Sequence, residues 1–296
     1  MLTINTADLK PAELQNYLQY AIAPRPICFV STIDKQGNVN LSPFSFFNIF
    51  SINPPVCVFS PSRRVRDNTT KHSLENILEV PECVINIVNY DMVQQTSLAS
   101  VEYPKGVNEF VKAGFTQVPS ELVKPPRVAE SPVQMECLIR QVIPLGVNAG
   151  AGNLVLTEIK RIHINEDILD ESGKIDQAKI DLVARLGGDW YCRVGIENLF
   201  EVEKPVRTLG IGVDSLPVSI RNSSVLTGNN LGQLGNVENL PTDEDIAAFR
   251  ADPELSQILD ATIGDSKTRE RELHQYARKL LESKEVIKAW KVLLFN

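Results

Sequence analysis

PRPICFVSTIDKQGNVNLSPFSFFN (residues 24–48), followed by NPPVCVFSPS (53–62) and RRVRDNTTKHSLENI (63–77), is the stretch from which the fold is read. From Ile27 to about Phe59 the apolar residues come in short runs rich in Val, Ile and Phe, broken at Asp34-Lys35-Gln36-Gly37-Asn38 and at Asn53-Pro54-Pro55. Short β-favouring runs divided by Gly, Asn and Pro are hairpin punctuation. The end of the stretch changes character. A strand runs out into the hydroxyls of Ser60 and Ser62 and the guanidiniums of Arg63, Arg64 and Arg66, just before a helix start. Backbone amides, hydroxyls and planar cationic forks gathered at such a place suit a terminal phosphate. Upstream, Asn40, Ser42, Ser45 and Asn48 stand among Phe44, Phe46 and Phe47. Polar groups there can fix the edge of a flat ring while aromatic and backbone surfaces cover its faces. An arginine-rich loop alone is usually a solvated turn, and a phenylalanine cluster alone is usually core. Their order along one stretch carries the reading.

On the N-terminal side, residues 8–20 read as a short helix, with Asp8 and Pro11 placed as cap and first-turn residues. On the C-terminal side, strands are expected at Glu82–Asn89, Val133–Ile143 and Leu154–Ile164, with helical interruptions at Ser73–Leu78 and Met92–Val101. Most of residues 21–200 is thus antiparallel β, and the spacing of short strands and turns favours a barrel or sandwich over a βαβ array. Residues 206–242 are rich in Gly, Asn and Ser and show neither period, so an extended arm is expected there. Residues 243–260 and 267–294 read as helices. In the second, Leu273, Tyr276, Ala277, Leu280, Ile287, Trp290 and Leu294 form one stripe that must be buried against the barrel or a second subunit. The expected organisation is an N-terminal helix (1–20), a β domain (21–205), the arm (206–242) and a helical extension (243–296).

The formal net charge of -7 argues against nucleic acid or an anionic membrane as partner, since both require clustered positive charge. Arg63, Arg64, Arg66 and Lys71 are a local exception that suits a small anion. Five scattered cysteines (Cys28, Cys57, Cys83, Cys137, Cys192), mostly in apolar runs, read as buried reduced thiols. No Cys-x-x-Cys or His cluster proposes a metal site. With neither a secretion-type leader nor a membrane-length apolar run, the chain is expected to be soluble and cytoplasmic.

The PRP, the S-T-x-D-x-x-G-x-x-N turn, the S-P-F-S-F-F-N run, the N-P-P strand start and the R-D-x-T loop together resemble the flavin reductase-like family, which includes the component B flavin reductases of nitrilotriacetate monooxygenase. The resemblance covers roughly residues 20–200, including Phe110–Phe115 and RLGGDWY at 185–191. It implies an FMN-binding split β-barrel, mainly β with flanking helices and here a C-terminal helical extension. It further implies a homodimer, with FMN in a groove near the interface. Carried over residue by residue, it implies that Ser45, Phe46, Phe47 and Asn48 line the isoalloxazine, partly through backbone groups. Ser60, Ser62, Arg63, Asp67 and Thr69 would hold ribityl and phosphate, with Arg66 a second guanidinium candidate. Asn68 separates Asp67 from Thr69 where the family pattern is contiguous, so which arginine meets the phosphate stays open. Arg64 is the one expected not to.

The resemblance implies an NAD(P)H-dependent flavin reductase, with FMN held or FAD or riboflavin used as substrate, passing reduced flavin to a partner oxygenase. The alternative is a flavoredoxin-like electron carrier acting on a protein partner. Hydride transfer from NADH or NADPH to the ring needs no general acid or base from the protein. No catalytic residue is therefore assigned. His163 is the one candidate, as a nicotinamide-side or substrate-side contact set against a plain strand-edge histidine. His72 and His274 read as surface helix residues. Asn148–Asn153 and Leu209–Gly212 do not complete a dinucleotide-binding G-x-G-x-x-G. Leu186–Tyr191 sets two glycines beside Trp190 and Tyr191, a tight turn or a flavin-side ledge.

Overall fold

A computed structural model describes residues 1–205 and 209–295, and the chain divides into two units, Met1–Phe200 and Glu201–Asn296. In the first, α1 (Pro11–Ala21) starts on a proline, with the Glu13 carboxylate returning to the Lys10 amide. After β1 (Arg25–Pro26), the chain makes a hairpin of β2 (Cys28–Ile33) and β3 (Val39–Phe44). Its turn is built by Asp34, whose Oδ1 accepts the amides of Gln36 and Asn38 while Gly37 takes φ +90°. A second hairpin pairs β4 (Phe47–Ile52) with β5 (Pro55–Phe59). Then come α2 (His72–Glu79), β6 (Glu82–Ile87), α3 (Val93–Leu98), α4 (Glu109–Ala113), β7 (Gln117–Val118) and β8 (Arg127–Val128). The long strands β9 (Val133–Pro144) and β10 (Asn153–Ile164) follow, and a small hairpin, β11 (Val183–Arg185) with β12 (Tyr191–Arg193), pairs onto β1.

One antiparallel sheet runs in the order β3-β2-β6-β9-β10-β5-β4. Its two outermost strands are consecutive in the chain, separated only by Ser45 and Phe46. So short a link spans about 10 Å, so the sheet must curl until its edges meet. The barrel is closed there by the chain itself and not by a hydrogen-bonded ladder, which makes it split. Register shifts in the β9–β10 ladder at Leu156/Thr157 and Ile159/Arg161 supply some of the bend. Inside lie Val30, Phe44, Phe59, Ile85 and Val155 with four thiols, Cys28, Cys57, Cys83 and Cys137, and α2 covers one opening with Leu74 and Ile77. Burial pushes the thiol of Cys57 up to about 11. A second apolar cluster on the other side of β2 and β3 packs Phe29 and Leu41 against Phe110 and Phe115.

The second unit is helical where an arm was expected. Residues 206–208, which open that expected arm, lie outside the described residues. Beyond them α5 (Val218–Arg221) and α6 (Gly228–Gly235) form, and Leu216, Ile220, Leu226 and Leu234 are buried. Glycine content argues against α6. Thr227 and Asn230 nonetheless cap it reciprocally, and burial of Leu234 holds it. Then follow α7 (Asp243–Phe249), α8 (Pro253–Ala261), α9 (Ser266–Glu282) and α10 (Val286–Leu293). The single helix expected over 267–294 is two, because Lys284 turns to φ 62° between them. Its stripe is buried within this unit: Leu273, Tyr276, Ala277, Leu280 and Trp290 pack with Ile220, Leu234 and Leu255, whereas Ile287 is exposed. His274 is buried, not on the surface, and its Nδ1 meets Ser223 Oγ at 2.8 Å. Among the described residues, no helix is long and apolar enough to cross a membrane.

Candidate functional site

The ring-side run and the arginine loop are neighbours across the β4–β5 pair. Phe47 faces Phe59, Asn48 faces Val58, and the Ser60 amide donates to the Phe46 carbonyl at 2.9 Å. Ser45 and Phe47 are half-buried, Phe46 and Asn48 exposed. Phe44 belongs to the core, its ring 5.2 Å from that of Phe59. The Asn48 side chain turns to the amide of Ile49.

Two of the ring-side candidates are displaced from this edge. Asn40 is buried on β3: its Nδ2 donates to Glu109 Oε1 at 2.9 Å and its Oδ1 accepts from Ser73 Oγ. Its amide ties β3 to α4 and α2 through both Nδ2 and Oδ1. Glu109 also accepts the Leu41 amide, and burial raises its carboxyl above the ordinary range against those hydrogen bonds. Ser42 lies mid-strand on β3, opposite Val30 and half-buried, away from the cluster at Ser45–Asn48.

The loop from Ser60 to Thr70 is stitched to the turn between β9 and β10. Asn153 N donates to Ser60 Oγ (3.1 Å), Asn153 Nδ2 to the Pro61 carbonyl (2.9 Å) and Arg63 N to the Ala151 carbonyl (2.8 Å). Gly150 N returns a bond to the Arg63 carbonyl, and Asn68 Nδ2 donates to the Val147 carbonyl. Within the loop, Arg63 grips Asn68, its Nε 2.7 Å from Oδ1, and Asn68 sits in the left-handed region at φ 58°. Asp67 accepts from the Thr69 hydroxyl and amide and from Arg66, which pull its carboxyl down to about 2. Arg64 reaches Thr69 Oγ1 (2.8 Å), the Thr70 carbonyl and Glu102. Arg66 is the most solvent-facing of the three arginines, and Ser62 is half-buried beside them. Lys71 lies 3.8 Å from Glu102; burial lowers its ammonium, against the pull of that carboxylate. Lys71 precedes α2, whose first turn has no side-chain cap. Lys71 and Arg64 therefore stand beside a helix start that has no side-chain cap.

His163 is not part of this arrangement. It lies ten residues along β10 from Asn153, roughly 30 Å of strand. Its Nε2 is 2.7 Å from Oε1 of the buried Glu136. Glu136 also accepts the amides of Glu121, Leu122 and Val123. The histidine completes a loop-holding carboxylate site, apart from the cluster at Ser45–Asn48 and the arginine loop.

A group the sequence reading passed over is Arg25. This buried side chain donates to the carbonyls of Gln19, Ile22 and Leu186 and approaches Ser45 Oγ at 3.4 Å, with the Phe46 ring 6.0 Å away. It joins the end of α1, the start of β4 and the β11–β12 hairpin. That hairpin packs Gly187 and Gly188 under Tyr20, while Trp190 is exposed and Tyr191 lies 4.6 Å under the Arg185 guanidinium. The PRP motif was the available signal for Arg25, but its partners are far apart in sequence.

Fold and site together define a split barrel that carries a cationic loop beside an aromatic strand edge. The chain belongs to the flavin reductase like domain family, whose model matches residues 20–179. An uncharacterized protein of Aquifex aeolicus is 38% identical over 172 residues, which cover 58% of this chain and 85% of that one. The crystal structure of nitrilotriacetate monooxygenase component B from Bacillus cereus aligns with a TM-score of 0.64 at 30% identity, over 68% of this chain and 98% of that one. The flavoredoxin of Desulfovibrio vulgaris shares the fold, with a TM-score of 0.52 at 24% identity over 61% of this chain and 90% of that one.

Proposed function

We propose that this chain binds FMN along the β4–β5 edge and works as an NAD(P)H-dependent flavin reductase. The observation that carries the reading is the Ser60–Phe46 bond, which sets the aromatic strand edge beside the arginine loop. In this reading Ser45, Phe46, Phe47 and Asn48 meet the ring. Ser60, Ser62, Arg66, Thr69 and Lys71 serve the ribityl chain and phosphate, while Arg63 and Asp67 hold the loop in shape through Asn68 and Thr69. The fit rests on Arg66 and Lys71, the uncapped start of α2 and the exposed face of Phe46. When bound, the flavin supplies hydride acceptance; the protein's part is to anchor the phosphate, fix the ring edge and exclude water from one face.

The neighbour's name as a monooxygenase component supports delivery of reduced flavin to an oxygenase. A second copy of the chain is the proposed cover for β4, an edge strand that exposes Ile49 (52%), Phe50 (69%) and Ile52 (76%). Light scattering of the purified protein tests the dimer. The function is tested by mixing the protein with FMN and each nicotinamide nucleotide and following absorbance at the nicotinamide band. Oxidation of NADH or NADPH is expected. FMN binding without oxidation of either would instead favour the electron-carrier reading, and no binding of flavin would end both.

A further inference from the structure

Glu102, on the loop between α3 and α4, reaches three of the four cations. Its Oε1 is 2.9 Å from Arg64 Nε and 3.8 Å from Lys71 Nζ, and its Oε2 is 3.0 Å from Arg66 Nη2. The loop does not depend on it for shape. Arg63 is held by Asn68, Arg64 keeps Thr69 Oγ1 and the Thr70 carbonyl, and Arg66 keeps Asp67. Glu102 itself is partly open to solvent. A carboxylate that engages cations without building their scaffold is a displaceable counter-anion.

We propose that Glu102 sets the discrimination between phosphorylated and unphosphorylated flavins, by occupying the cations that a phosphate monoester must claim. The proposal rests on the phosphate reading given above. The charges are consistent with it. Arg63, Arg64, Arg66 and Lys71 face Asp67 and Glu102, which leaves two positive charges for a group carrying about two negative ones. An incoming phosphate must take Arg66 and Lys71 from Glu102, so much of its Coulombic gain is spent in breaking existing pairs. Riboflavin, which ends in a hydroxyl, has no reason to displace Glu102. The wild-type chain therefore holds FMN more weakly than its cation count implies, which suits a flavin that must leave once reduced.

The test is a titration of full-length protein with FMN and with riboflavin, read by quenching of flavin fluorescence, for the wild type, Glu102→Gln and Lys71→Met. In Glu102→Gln the FMN dissociation constant is expected to fall by roughly threefold to tenfold, the scale of a few released surface pairs. Riboflavin affinity is expected to stay unchanged, and the salt dependence of FMN binding to steepen. In Lys71→Met, FMN binding is expected to weaken while riboflavin binding holds. If Lys71→Met weakens FMN binding but Glu102→Gln leaves it unchanged or weaker, Glu102 is a brace, and this proposal falls while the phosphate site stands. If neither variant alters the FMN to riboflavin ratio, the phosphate reading itself falls. Thermal melting of each variant confirms that it is folded.

Discussion

Gly152 lies against Ser60 so closely that a β-carbon there would stand 2.7 Å from Ser60 Oγ. The contact joins the β9–β10 turn to the start of the arginine loop, at the point where Asn153 N reaches the same hydroxyl. The Ser60 backbone is held by its amide bond to Phe46, so relief requires its hydroxyl to turn away from Asn153 N or the loop to shift. Gly152→Ala should therefore push the loop outward while leaving the barrel core intact. The expected outcome is FMN affinity lower by about 1–2 kcal/mol, roughly fivefold to thirtyfold, with a melting temperature within a few degrees of the wild type. Parallel flavin titrations and thermal scans measure the two.

Glu136 gives a pH signature. Burial alone would raise its carboxyl, but the amides of Glu121, Leu122 and Val123 and the His163 ring outweigh this and hold it below its ordinary value of 4.5. Its folded pKa is lower than its unfolded one, so its contribution is complete above the unfolded value and is lost as the pH falls through the folded value. Glu136→Gln should cost about 2–4 kcal/mol at pH 7. The gap to the wild type should narrow below about pH 4.5. Urea denaturation at a series of pH values checks both the size and the convergence.

The Gly187 and Tyr20 pair predicts a rescue. A β-carbon on Gly187 would lie 2.3 Å from the Tyr20 ring. Gly187→Ala should loosen the hairpin that Arg25 anchors through Leu186, visible as faster amide exchange at residues 186–191. Tyr20→Ala in the same chain removes the clash, so the double variant should exchange more slowly there than Gly187→Ala alone.

The two tryptophans should separate the units spectroscopically. Trp190 is 71% exposed in the first unit, whereas Trp290 is fully buried in the second with Nε1 donating to the Leu234 carbonyl. Trp290→Phe should leave a red-shifted emission open to acrylamide, and Trp190→Phe a blue-shifted emission protected from it. Trp290→Ala should destabilise the helical unit by about 3–5 kcal/mol, read as an earlier melting step in circular dichroism.

The barrel was legible because its signals are local. Gly37 marks one hairpin, Asn53-Pro54-Pro55 the next, and β-branched runs the strands between them. The arginine loop was legible as a charge anomaly in an acidic chain. The resemblance of the whole motif series supplied the proposed ligand, which composition alone could not do. What stayed hidden depends on partners distant in sequence. Asn40 looked like a ligand group because nothing near it shows that Glu109, 69 residues away, claims its amide. His163 looked free for the same reason, with Glu136 27 residues away. Arg25 sat unremarked inside the quoted motif: Gln19 and Ile22 are close by, but the Leu186 carbonyl that ties it to the β11–β12 hairpin is 161 residues on. In the second unit, α6 was hidden by Gly228, Gly232 and Gly235, a composition that argues for coil until the burial of Leu234 is known.

The strand order has a consequence for how the protein comes into being. The β2–β3 and β4–β5 hairpins can form as soon as their residues exist, but β10 must arrive to join β5, with Thr157 bonding Cys57 across a hundred residues of chain. Closing so long a loop costs more chain entropy than closing either hairpin, so this pairing is expected after them. The arginine loop takes its supports from Ala151 and Asn153, on the same late hairpin. A nascent or partly refolded chain therefore carries every residue of the cationic loop and its internal bonds, but not the anchors from Ala151 and Asn153. If the proposed site is right, flavin capture by a refolding chain should follow the pairing of β10 with β5 and not precede it.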